Sequence, residues 1–245
     1  MTMYSNSYTI VLVHGSCHGG WCWDKLLPYL KKDNNQIYTP TLTGLGERSH
    51  LLFKNINLSM HIKDIIQVFE YQNLCNVILI GHSYGGMVIG GVAERIPDRI
   101  KSMIFLDAYI PQDGKSAFDL IPGLEEIYRQ RSLKEKGKEW LVLSYTPEEF
   151  GVTDSDDVFW MKNRLCPMPF HTHDEPLFIQ NVKSRELPKF YITFSDFGKS
   201  MFKSIGSKKT GSENWNYFEL RQGHDTIITA PKELSNLLIE IIYKK

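Results

Sequence analysis

No uninterrupted apolar run in the chain approaches the ~18 residues that a membrane-spanning helix needs, so a helical membrane protein is not expected. Charge of one sign is missing too. The 28 Lys and Arg balance 28 Asp and Glu, which leaves no basic excess to neutralise phosphates and argues against nucleic-acid binding. The densest charged run, Lys134-Glu135-Lys136-Gly137-Lys138-Glu139, alternates in sign and reads as a solvated face. Cysteine is scarce: Cys17, Cys22, Cys75 and Cys166 form no paired framework, so they read as free thiols and the expected compartment is the cytoplasm. The first seven residues lack the apolar core of a leader, and the apolar stretch at 8–13 runs straight into a glycine-containing loop. Cofactor signatures are thin. His171-Thr172-His173-Asp174, with Cys166 nearby, lacks the second ligand cluster of a zinc site, so no metal is expected. Gly44-Leu45-Gly46-Glu47 lacks the third glycine of a dinucleotide loop, so no nucleotide cofactor is expected either.

What is present is a β-then-α alternation, the pattern of a mostly parallel sheet flanked by helices. Apolar strands are expected at Tyr8–Val13, Val77–Ile80, Met103–Leu106, Phe190–Ser195 and Tyr217–Leu220. Ile62, Ile65, Ile66 and Phe69 make a helical stripe, and Leu234, Leu237, Leu238 and Ile241 make another behind Pro231. A composition of 42% hydrophobic residues in 245 suits one soluble α/β domain spanning 1–245. The pattern lapses between about 112 and 185, where prolines and aromatics replace core strands.

The chemistry is concentrated at Gly81-His82-Ser83-Tyr84-Gly85, directly behind the strand Val77–Ile80. In such an elbow the serine sits on a strained turn between strand and helix, and the residues two before and two after must be small. A serine hydroxyl needs a base to take its proton. His224, after the last strand and before the C-terminal helix, is the expected base. Two aspartates follow strands and are candidates to orient it: Asp196, which gives the order Ser83, Asp196, His224 and is preferred, and Asp107. For a developing oxyanion, the expected donors are the backbone N–H groups of Tyr84 and of Ser16, in the glycine-rich loop after the first strand.

These features resemble the α/β-hydrolase superfamily. The segments HGSCHGGWCWDKLLPYL, TLTGLGERSHL, GHSYGGMVIGGVAERIPDRI, FLDAYIPQDGKS and RLCPMPFHTHDEPL are similar to its methylesterase and hydroxynitrile lyase branch, most closely to bacterial esterases of the pyrethroid-hydrolase type. The resemblance implies an α/β-hydrolase fold with core 1–111 and 186–245 and a lid inserted at about 112–185. It also implies a cofactor-free serine esterase for a small-molecule ester, with Ser83, Asp196 and His224 at the triad positions. A second copy of the chain, as a homodimer, is the one macromolecular partner it leaves open. Two other activities occur on this scaffold. Plant lyases carry threonine at the place of Gly15 and lysine at that of Asp225, so both residues here count against a lyase. Hormone-receptor relatives bind and slowly turn over a small signal, and rapid multiple turnover would set an esterase apart from them.

Overall fold

The computed structural model describes residues 7–31, 34–195, 202 and 214–243. Among the described residues six strands form the main sheet: β1 (Thr9–Val13), β2 (Gln36–Tyr38), β3 (Val77–His82), β4 (Ile100–Leu106), β5 (Lys189–Phe194) and β6 (Trp215–Leu220). Their order is β2-β1-β3-β4-β5-β6, and every described pairing between them is parallel.

Both faces of the sheet are covered, which explains the near-continuous apolar strands. Val11, Val13, Val77 and Leu79 pack on one side with α1 (Leu58–Tyr71) and α2 (Gly85–Arg95). Ile10, Leu12, Ile78 and Ile80 face the other side, against Leu234 and Leu238 of α3 (Pro231–Tyr243). The alternation follows from the two-residue period of a strand. Each such side chain, withdrawn fully from water, contributes roughly 1.5–3 kcal/mol. The helix boundaries obey local rules: Asn57 caps α1 by accepting from the Met60 amide, and α2 stops before Pro97.

Residues 112–185 add no strand to this sheet. Among the described residues they hold a two-residue antiparallel pair, Leu141–Val142 with Met168–Pro169, and short helices including Leu124–Arg131 and His171–Asp174. Tyr128, Phe150 and Phe170 are buried, while Phe159 is 75% exposed, so the aromatics of this segment divide between packing and solvent.

The strand order matters for function. The chain leaves β1 toward β2 on one side and later returns to β3 on the other, so the carboxyl ends of β1 and β3 border the crevice where parallel α/β sheets bind ligands. The glycine-rich loop follows β1, and Ser83 follows β3.

Candidate active site

Ser83 has φ of +53°, a left-handed conformation that non-glycine residues adopt at a cost. Its amide continues the ladder to Leu106 O at 3.2 Å, and its carbonyl accepts from the amides of Gly86 at 3.0 Å and Tyr109 at 3.2 Å. The flanking glycines are required by close approach. A Cβ on Gly81 would lie 2.7 Å from the Gly85 carbonyl oxygen, and one on Gly85 would lie 2.5 Å from that of Val13. Strand, helix and β1 therefore meet with no room for side chains.

His224 is held from three directions. His82 Nε2 donates to its carbonyl at 3.0 Å, the Phe202 ring stacks on it at 5.3 Å, and its Nδ1 lies 2.7 Å from Asp107 Oδ2. A carboxylate only accepts, so Nδ1 carries the proton and Nε2 keeps the lone pair a base needs. Burial alone would lower the pKa of His224, but the hydrogen bond and charge of Asp107, with the charge of Asp225, outweigh it and the net shift is upward. Asp107 is itself buried, has φ of +40°, and accepts from the Phe194 amide at 3.3 Å through Oδ1. The sequence preference for the orienting carboxylate was Asp196. Asp196 lies outside the described residues, and the described carboxylate that meets His224 Nδ1 is that of Asp107, the other candidate.

The two expected oxyanion donors are also oriented from behind. His14 Nδ1–H donates to Gly15 O at 2.9 Å, and His14 Nε2 accepts from the Leu42 amide at 3.1 Å. Holding the Gly15 carbonyl turns the other edge of that peptide, the Ser16 N–H, away from His14. Burial drives the His14 pKa down to about 3, so the ring stays neutral and this pattern persists. The two bonds on the Ser83 carbonyl do the same for the Tyr84 N–H. Among the described residues neither amide donates to a protein acceptor. The Tyr84 side chain is fixed separately: His61 Nε2–H donates to Thr43 O at 3.0 Å, so Nδ1 accepts from the Tyr84 hydroxyl at 3.1 Å.

Asp225, next to His224, is fully buried. His18 Nε2 lies 3.3 Å and His82 Nε2 3.9 Å from its carboxylate, both at ion-pair distance and neither aligned for a hydrogen bond. Burial pushes its pKa up, yet His18, His82 and His224 together hold it below the ordinary carboxylate range. In the sequence Asp225 marks only a contrast with the lyases; its charge beside His224 emerges from the fold. His82, His224 and Asp225 are close enough to surround a metal ion, but His82 Nε2 and His224 Nδ1 already serve the Nε2–carbonyl and Nδ1–Asp107 bonds. His171 and His173 do not converge: His171 Nδ1 meets Asp174 Oδ2 at 2.8 Å on the surface, while His173 is buried.

A family model for the alpha/beta hydrolase family matches residues 10–201. The chain belongs to the α/β-hydrolase family. This hydrolase is 34% identical over 236 residues to a carbendazim hydrolyzing esterase from Nocardioides sp. (strain SG-4G), covering 93% of this chain and 97% of that one. It is 38% identical over 102 residues to methylesterase 10 of Arabidopsis thaliana, a stretch that covers 41% of this chain and 37% of the relative. Among solved structures, an extracellular alpha/beta-hydrolase from a Paenibacillus species, described as sharing structural and functional homology with tobacco salicylic acid binding protein 2, superposes with a TM-score of 0.82 at 26% identity. That match covers 95% of this hydrolase and 98% of the other chain. The resemblance to the methylesterase and hydroxynitrile lyase branch is met by these relatives on its esterase side.

Proposed function

We propose that the protein is a serine esterase for small carboxylic esters, working through an acyl-enzyme. The observation that carries this is the His224 Nδ1–Asp107 contact in a chain whose Ser83 is held on a strained elbow. Its support from relatives is the esterase activity named for the Nocardioides protein. Ser83 Oγ attacks the ester carbonyl carbon while His224 Nε2 takes its proton. The tetrahedral oxyanion is received by the Ser16 N–H, from the loop after β1, and the Tyr84 N–H, at the start of α2, where the helix dipole adds to them. His224 returns the proton to the departing alcohol, leaving acyl-Ser83. Water, deprotonated by the same nitrogen, then releases the acid. Asp107 holds the Nδ1 proton throughout and stabilises the imidazolium. Residues 112–185 serve as the lid over this site. The free thiols among the described residues are the support for our placing the enzyme in the cytoplasm.

Two positions weigh against cyanohydrin cleavage. A Cβ at Gly15 would lie 2.9 Å from the Ser83 Cβ, so a threonine there would displace the nucleophile. Asp225 places negative charge beside His224, the wrong sign for a departing cyanide anion. With p-nitrophenyl acetate the enzyme is expected to release a burst of nitrophenolate equal to the active sites, followed by steady turnover. Benzaldehyde release from mandelonitrile is expected to stay at background. Efficient cyanohydrin cleavage with intact esters would overturn the reading.

The pH dependence follows from the same groups. His224 must be neutral to act, and its pKa is shifted upward, so kcat/KM should fall as pH drops through a midpoint above the ordinary ~6.5 of imidazole. Asp225→Asn removes one of the charges that raise it, and the midpoint should move to lower pH. An unchanged midpoint in a folded variant would remove Asp225 from the electrostatics of the base.

A further inference from the structure

Residues 112–185 send one histidine in among the rings of Tyr84, Tyr109, Phe118 and Tyr128. His173, in the short helix His171–Asp174, is fully buried, and its ring stacks on Tyr84 at 4.7 Å with an interplanar angle of 20°. Its partners define which nitrogen carries the proton. Thr172 Oγ1 donates its single proton to Pro169 O at 2.7 Å, so toward His173 Nδ1, at 2.9 Å, it can only accept. Nδ1 is therefore protonated. Burial takes the ring's pKa down to about 3, so the imidazole is neutral and Nε2 is a lone pair. Tyr128 Oη, 2.9 Å away, donates to that lone pair, and Ser16 Oγ lies 3.3 Å from the same atom.

A wall whose only task is to bound an apolar pocket is made most cheaply from phenylalanine, because every buried polar atom must recover the hydrogen bonds it had in water. Here a buried imidazole has both nitrogens engaged, and its contacts are specific. Ser16 and Tyr84 supply the two oxyanion amides, and His173 meets the first through Nε2 and the second by stacking. We propose that His173 is a positioning residue for the oxyanion hole, clamping Ser16 and Tyr84 from the lid so that their amides converge on the Ser83 adduct. The proposal rests on the esterase reading of this site.

The test uses His173→Phe, which keeps the stacking area and removes both nitrogens, and His173→Gln, which returns an acceptor near Nε2. Because the donors are loosened and not deleted, His173→Phe should lower kcat on p-nitrophenyl acetate by about 10- to 100-fold, short of the loss on removing an oxyanion donor, with KM changed by no more than about twofold. Affinity for phenylboronic acid should fall by the same factor. Its boron accepts the Ser83 oxygen, with the serine proton passing to His224, and becomes a tetrahedral anion whose oxygen occupies the hole. His173→Gln should recover most of both losses. Ser16→Ala keeps the amide and removes only the Oγ link; it should lower kcat in the same sense and add less than its full effect in the His173→Phe background. It decides the matter if His173→Phe does not fold. Unchanged kcat and boronate affinity in Ser16→Ala or in a folded His173→Phe, or a change confined to KM, would make His173 a pocket wall and overturn the proposal while the wild-type esterase stands. A wild type with no ester turnover, or turnover that survives Ser83→Ala, would bring down the esterase reading and this inference with it.

Discussion

Ser83→Ala is expected to fold like the wild type and to lose roughly 10⁴-fold or more of its ester turnover, the order seen when a member of such a constellation is removed. The folding half of this expectation comes from the elbow itself. The clash that demands glycine falls at positions 81 and 85, where a Cβ would meet backbone within 2.7 Å, and not at position 83. Alanine retains the Cβ of Ser83, and the backbone bonds that hold its carbonyl, from Gly86 and Tyr109, involve no side chain. The catalytic half follows because the hydroxyl is the only group lost. Far-UV circular dichroism and the thermal midpoint should match wild type, while the nitrophenolate burst should vanish. A folded variant that retains a tenth of the activity would remove Ser83 from the mechanism.

How much of this was legible in the sequence depends on the range of the interaction that decides it. The elbow was legible because its constraint is local: two backbones approach within van der Waals distance, and the sequence answers with glycines at fixed spacing. The loop after β1 was legible for a similar reason. Its working detail was not, because the hydrogen bond that turns the Gly15–Ser16 peptide comes from His14, whose role depends on a ring geometry and on the Leu42 amide far along the chain. His173 lies 157 residues from Ser16. Read locally, its His-Thr-His-Asp setting resembles a partial metal site; only the packing of residues 112–185 shows that one histidine turns outward to Asp174 and the other inward to Tyr128.

The orienting acid was the hardest case, and its physical reason is the register of the sheet. β4 and β5 are neighbours, with Leu106 opposite Ile192, so both strands deliver their carboxyl ends to the same edge, and each is followed by an aspartate. Chain order favoured Asp196. What brings Asp107 to His224 is a turn that sequence does not display: with φ of +40°, the residue after Leu106 bends its carboxylate to His224, and aspartate tolerates this conformation better than most side chains.

Asp107→Asn is accordingly expected to reduce turnover by about 10⁴-fold, whereas Asp196→Asn should do little to the chemical step. The amide is nearly the size of the carboxylate and can keep the bond from the Phe194 amide, so the turn survives. Toward His224 it differs in two ways. It can present N–H donors to Nδ1 and so favour the tautomer with the proton on Nε2, which has no lone pair for the Ser83 proton. It also carries no charge to stabilise the imidazolium. The hydrogen bond and charge of Asp107 are what raise the pKa of His224 against its burial, so the residual activity of Asp107→Asn should have its acid limb shifted to lower pH, a change that Asp196→Asn should not produce. The measurement is the pH profile of kcat/KM for both variants, each shown to be folded. A large loss with a displaced acid limb in Asp196→Asn, and wild-type behaviour in Asp107→Asn, would transfer the role back to Asp196.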